Sequence, residues 1–202
     1  MKYLTNTQKA FGSITLALML FSTTGNAALV QFDIYAKANS STSGNGLNTG
    51  LTYSTGDTIT GAVHAGDLWN AGPLKRWSNA DGLVVDLFAA AGDDSGYAAG
   101  THIGEPFTNH TQNGLTAPFG SLVGEINSTF FLLGTSFAVS APDSGILSLY
   151  YWDSNSHDNT EFVTVSIDNN VSAVPIPAAA FMFAPALLGF MGLRRKAKNT
   201  VA

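Results

Sequence analysis

The sequence predicts an all-β domain, an antiparallel β-sandwich, framed by two terminal segments of different chemistry. Three observations carry that expectation. Apolar and polar residues alternate at a period of two in several short runs, helical periodicity is almost absent, and Gly, Ser, Thr and Asn clusters punctuate the runs. In Leu29 to Ala36, Val30, Phe32 and Ile34 alternate with Gln31, Asp33 and Tyr35, the pattern of a half-buried strand. Thr58 to Val63 follows a Thr-Gly-Asp turn, and Leu122 to Ile126, Phe130 to Val139 and Ile146 to Trp152 supply further strands. In the last run Val163, Val165 and Ile167 alternate with Thr164 and Ser166. Residues 39–50, rich in Ser, Asn and Gly, are expected to form a mobile loop. Residues 86–120 carry little pattern, and a connection that long is usually functional or flexible.

Both ends differ from this middle. Lys2 and Lys9 precede the apolar run Ile14 to Phe21, and Gly25-Asn26-Ala27 offers small residues to a signal peptidase, so residues 1–27 are expected to be an export signal. That run is too short for a transmembrane span. At the other end no charge occurs between Asp168 and Arg194. The interval holds Val174-Pro175-Ile176-Pro177, then apolar residues from Ala178 to Leu193, then Arg194-Arg195-Lys196. As a helix the apolar part would reach about 24 Å, against a hydrocarbon core of about 30 Å. This order resembles the PEP-CTERM sorting signal of exopolysaccharide-producing Gram-negative bacteria, with Ile176 where the motif usually carries Glu. The resemblance implies that residues 174–202 form a short hydrophobic sorting helix and a transient inner-membrane tether, removed by an exosortase-type enzyme. The basic cluster would then face the cytoplasm and the body of the protein the outside. Intact-mass measurement on protein recovered outside the cell should therefore show a chain that starts near Ala28 and lacks everything after about Pro177. A mass that includes Arg194-Arg195-Lys196 would make the segment an ordinary anchor.

Between the ends, residues 28–173 have the length of one domain with a proper core. Fourteen acidic residues stand against only Lys37, Lys75 and Arg76, which leaves the domain at −11. So acidic a surface excludes nucleic acid as a partner. It also disfavours anionic polysaccharide unless a cation bridges the two. Cysteine is absent, so an exported chain must rely on core packing or bound metal instead of disulfides.

Two stretches carry candidate chemistry. The first is Tyr150 to Thr160, where Asp153, Asn155, Asp158 and Asn159 crowd one connection with no basic residue. Such a set suits a hard cation, which takes six to eight oxygen ligands, and it equally suits a plain hairpin loop. An EF-hand is excluded, because Thr164 stands where the closing Glu belongs and the flanks are strands. The second stretch is Gly66 to Leu83, where Trp69 and Trp77 bracket a Gly-Pro turn and Ser78-Asn79-Ala80-Asp81 follows. Sugars stack on aromatic faces and hydrogen-bond Asn and Asp, which fits a carbohydrate site, while tryptophans also commonly lie in cores. Asp93-Asp94-Ser95-Gly96 is either an exposed acidic turn or a second oxygen site. His64, His102, His110 and His157 lack zinc spacing. Nothing pairs Glu105, Glu125 and Glu161 as a glycosidase requires, and Gly-x-Ser-x-Gly is missing, so the chain is not expected to be an enzyme.

Several pieces in order resemble the bacterial galactophilic lectins of the PA-I type. They are Thr49-Gly50 through Gly56-Asp57-Thr58, Gly66 to Leu83, Leu122 to Ile126, Gly145 to Asp153, and Asp158-Asn159 before the last strand. The resemblance implies a galactose-binding-like jelly roll with Ca2+ at one end that takes part in holding the sugar. It assigns the ion to Asp153, Asp158 and Asn159, with backbone carbonyls from Asn155 or a neighbour and from Asn70 or Ala71. It assigns carbohydrate contacts to Ser78, Asn79 and Asp81, with Trp69 or Trp77 for stacking. The Asp153–Asp158 loop is two residues shorter than in those lectins, and Ser78 and Asp81 replace their sugar-contacting His and Gln, which favours a sugar other than simple galactose. The resulting expectation is an exported, calcium-dependent, carbohydrate-binding protein of the cell envelope or extracellular matrix, with an exopolysaccharide or biofilm polymer as partner. The alternatives are a structural matrix protein in which calcium only stabilises the fold, and an enzyme acting on exopolysaccharide.

Overall fold

The computed structural model describes residues 28–42 and 45–169. The expected export signal (1–27) and the sorting segment (174–202), with Val174, Pro175, Pro177, Arg194, Arg195 and Lys196, lie outside the described residues. Among the described residues the chain forms fourteen strands and no helix. In order these are β1 (Ala28–Tyr35), β2 (Leu47–Tyr53), β3 (Thr58–Val63), β4 (Trp69–Asn70), β5 (Trp77–Ser78), β6 (Leu87–Phe88) and β7 (His102–Gly104). They continue as β8 (Asn109–Gln112), β9 (Leu115–Pro118), β10 (Leu122–Ile126), β11 (Thr129–Leu132), β12 (Ser136–Ser140), β13 (Gly145–Tyr151) and β14 (Phe162–Asn169).

Two four-stranded sheets, in the orders β1-β14-β3-β12 and β11-β10-β13-β2, are antiparallel throughout. Three two-stranded ribbons, β4-β5, β6-β7 and β8-β9, complete the topology. The period-two residues explain why the sheets pack face to face. Ile34, Ile59, Val63, Phe137, Val163, Val165 and Ile167 of the first sheet share one core with Leu122, Ile126, Leu147, Leu149 and Tyr151 of the second. Such a shared core makes the two sheets a sandwich.

Three expectations are corrected. The run Phe130 to Val139 is not one strand, because β11 pairs with β10 while β12 pairs with β3 in the other sheet. The crossover occurs at Leu133-Gly134: both backbone N–H groups donate to the Leu122 carbonyl, at 3.0 and 3.3 Å, and Gly134 takes φ +78°. That left-handed conformation ends any strand and suits glycine. The described residues of 39–50 are not a loose loop either. Asn39, Ser40 and Ser41 are buried, Ser41 N–H donates to Tyr151 O at 2.9 Å, Tyr151 N–H donates to Asn39 O at 2.9 Å, and residues from Leu47 belong to β2. Finally, the interval 86–120 is structured. It builds β6 to β9 and two satellite cores, Leu68, Trp77, Ala89 and Ile103 in one and Ala117, Val123 and Trp152 in the other.

Candidate cation and ligand site

The connection from β13 to β14 is held at both ends. Trp152 N–H donates to Ser121 O at 2.9 Å, and Asp153 N–H donates to Ser41 Oγ at 3.2 Å. The Asp153 carbonyl accepts from Ser41 Oγ at 3.0 Å and also from Thr42 Oγ1. At the far end Asn70 and Thr160 exchange two backbone hydrogen bonds at 3.1 Å, and Asn159 Nδ2 donates to Ala36 O at 3.2 Å. These clamps carry Asp153 and Asn159 into the interior, at 4% and 2% exposure.

Burial leaves both side chains incomplete. Asp153 Oδ1 accepts from Ser154 N–H at 2.6 Å, whereas Asp153 Oδ2 and Asn159 Oδ1 are buried without a hydrogen-bond partner. The nearby Tyr151 hydroxyl shares that condition. A buried acceptor with no donor costs about 1–3 kcal/mol, more when charged, and native structures leave few of them. Desolvation raises the Asp153 pKa, the Asn159 amide and the Ser154 and Asn155 backbone lower it, and the charge of Asp158 raises it again. The net direction is upward, so the carboxylate lacks a compensating positive charge.

Asp158 closes the same region from the surface. Its Oδ1 accepts from Asn155 Nδ2 at 3.0 Å, and a Cβ at Gly72 would lie 2.5 Å from its Oδ2. Gly72 has φ +128° and its N–H donates to Asn70 Oδ1 at 3.0 Å, so this turn favours glycine for its conformation. Of the six expected cation ligands, Asp153 and Asn159 thus present open, buried oxygens. Asp158 and Asn155 are exposed and bonded to each other. The Asn70 carbonyl already accepts from Thr160, and Ala71 lines a cleft with Asp153, Asn155 and Asp158. Among the described residues no three His, Asp or Glu side chains come together. Two carboxylates with amide and carbonyl oxygens are donors that suit a hard cation and not zinc.

The cleft encloses about 380 Å³, and Arg76, Phe107, Thr108 and Phe119 complete its polar and aromatic lining. None of the five residues expected to contact carbohydrate lines it, and burial corrects the assignments of Trp69, Trp77 and Ser78. Trp69 is 0% exposed, donates Nε1–H to Gly120 O at 2.8 Å and to Asn79 O at 3.2 Å, and meets Tyr151 edge-on at 4.5 Å. Trp77 is buried with Leu68, Ala89 and Ile103. Ser78 is buried and directs its hydroxyl at Gly120 O. Asn79 Oδ1 accepts from Asp81 N–H at 3.0 Å, while Asp81 Oδ1 accepts from Thr135 N–H at 2.7 Å and Thr135 Oγ1 at 2.9 Å. Trp69, Trp77 and Ser78 are buried in the fold, whereas Asn79 and Asp81 are half-buried and spend their amide and carboxylate oxygens on the turn itself and on Thr135. The Asp93-Asp94 turn is likewise occupied: Asp93 accepts from Ala90 and Ser95, and Asp94 Oδ2 accepts from Leu68 N–H at 2.9 Å. Sequence reasoning missed Arg76, Phe107 and Phe119. The available signals were aromatic residues isolated in the unpatterned 86–120 interval and one of only three cationic side chains in the domain.

Fold and site together define a two-sheet antiparallel β-sandwich whose polar loops gather beside a cleft. The sequence matches no protein-family model and no curated protein. Among solved structures the chain is similar to one described as "EclA N-terminal domain; PllA-like lectin", at 19% identity and a TM-score of 0.44, covering 69% of this chain and 96% of that one.

Proposed function

We infer that this is an exported, non-catalytic carbohydrate-binding protein that uses Ca2+ at the Asp153–Asn159 loop and acts on extracellular polysaccharide at the cell envelope or in a biofilm matrix. The observation that carries the reading is the pair of buried, unpartnered oxygens, Asp153 Oδ2 and Asn159 Oδ1, on a loop that lines a cleft. A divalent cation would satisfy both and neutralise the buried carboxylate. Asp153, Asn159 and Asp158 would hold it, with carbonyls from the Asn155 and Ala71 backbones. When bound, such an ion supplies open coordination positions for hydroxyl oxygens. The chain's own part is to hold its donors rigid through Ser41, Thr42 and Thr160, and to bound the cleft with Phe107 and Phe119.

The acidic side chains support a non-catalytic reading. Glu105 is engaged by Lys75 at 3.3 Å and Arg76 at 3.6 Å, and Glu125 accepts from Ser128 N–H and from the Tyr150 hydroxyl. Burial of both tryptophans favours the rival reading, in which calcium only stiffens the fold. One experiment separates them. Calcium at a hundred times its Kd should stabilise the protein by about 2.7 kcal/mol, a rise of roughly ten degrees in Tm, reversed by chelator. A glycan array run in calcium and in chelator should then show binding only with calcium. A melting shift without any glycan binding would favour the structural role, and no shift would exclude the ion.

A further inference from the structure

Arg76 is the one feature of the cleft that a neutral sugar and a cation do not explain. Among fourteen acidic residues the domain has three basic ones, and two of them, Lys75 and Arg76, adjoin here. Both reach the same carboxylate, Glu105, at 3.3 and 3.6 Å, so the pair keeps one positive charge in excess. Among the described residues Arg76 forms no ion pair with Asp153 or Asp158, although all three line the cleft.

Its position is over-determined. Lys75 takes φ +71°, an uncommon conformation for a residue with a Cβ. The surrounding pairings hold it: Lys75 and Arg76 both bridge to Gly104, and the Arg76 carbonyl accepts from Ala71 N–H at 3.0 Å. The guanidinium rests 4.1 Å from the Phe107 ring centroid, and its Nη1 donates to Lys75 O at 3.2 Å. Among the described residues Nη2 and Nε have no hydrogen-bond partner, while the side chain stays 27% exposed. A planar guanidinium fixed on an aromatic ring with a free N–H edge is preorganised for a planar anion such as a carboxylate.

We propose that the cleft selects a sugar bearing a carboxylate, a hexuronic acid residue, with Arg76 as the anion contact. This rests on the carbohydrate-binding reading and narrows it. Glu105 holds Arg76 in place without neutralising the Lys75–Arg76 pair, and Thr108 adds a hydroxyl to the lining. The strongly acidic remainder of the domain repels a long polyanion, which favours a single terminal or isolated uronate over a continuous polyuronate chain.

The test is calorimetric titration of the exported protein in excess calcium with two matched pairs, methyl galacturonoside against methyl galactoside and methyl glucuronoside against methyl glucoside. In at least one pair the uronoside should bind about tenfold or more tighter, the range of a charge-assisted hydrogen bond, and the advantage should shrink as salt rises. Arg76→Gln should bring the two members of that pair to equal affinity while the calcium-induced melting shift persists. Neutral glycosides binding as well as the uronosides, or an advantage that survives Arg76→Gln, would overturn the proposal and leave the lectin reading standing. Binding of none of the four sugars, together with a silent glycan array, would overturn both. If Arg76→Gln fails to fold, the comparison within each pair on the unaltered protein decides.

Discussion

Trp69→Ala is expected to lower unfolding stability by about 3–5 kcal/mol, enough to bring a typical domain close to unfolding. Trp69 is among the largest wholly buried side chains, and its indole joins Tyr151 to the carbonyls of Gly120 and Asn79. Removing it leaves a cavity and takes one of two donors from each carbonyl, since Gly120 O keeps Ser78 Oγ and Asn79 O keeps Gly82 N–H. Trp69→Phe retains much of the ring and loses only the N–H, so it should cost about 1–3 kcal/mol. Urea denaturation followed by circular dichroism measures both. An exposed stacking tryptophan behaves otherwise, since surface substitutions usually stay within about 0.5 kcal/mol. Near-native stability of Trp69→Ala with weakened sugar binding would return Trp69 to the ligand site.

Asp153→Asn is expected to abolish the calcium-dependent rise in Tm, a loss of about 2.7 kcal/mol of ligand-linked stability at saturating ion. In chelator the same variant should be as stable as the unaltered protein or more so. The reason is that Asp153 Oδ2 is then a buried charge without a partner, and replacing an uncompensated buried charge by a neutral isostere removes a desolvation cost. Asp94→Ala serves as the contrast. It loses the hydrogen bond to Leu68 N–H and should melt lower, by about 1 kcal/mol, while responding to calcium in full. Thermal melts with and without calcium give all the values. A full calcium response in Asp153→Asn would place the ion elsewhere.

Several elements of this protein were legible in sequence because they depend on local alternation. Period two assigns a strand and its buried face in the same step, so β1, β3, β13 and β14 stand where the alternation put them, and their inward residues meet in one core. The polar composition of residues 153–159 marked the loop that lines the cleft. Tertiary structure alone decided the rest. In β4 the consecutive residues Trp69 and Asn70 are both buried, since the ribbon is covered on both faces and alternation carries no information there. The break at Gly134 depends on a carbonyl of β10 that captures two N–H groups from another part of the chain. Which loop oxygens lose their water depends on Ser41, which is 112 positions before Asp153, and on Ala36, 123 before Asn159. Sequence by itself therefore determined the alternating strands of the two main sheets and the donor-rich loop, because side-chain alternation and turn chemistry act between near neighbours. Only the fold decided which aromatic rings are core and which acceptors lack donors, because burial and hydrogen-bond satisfaction are set by contacts between distant segments.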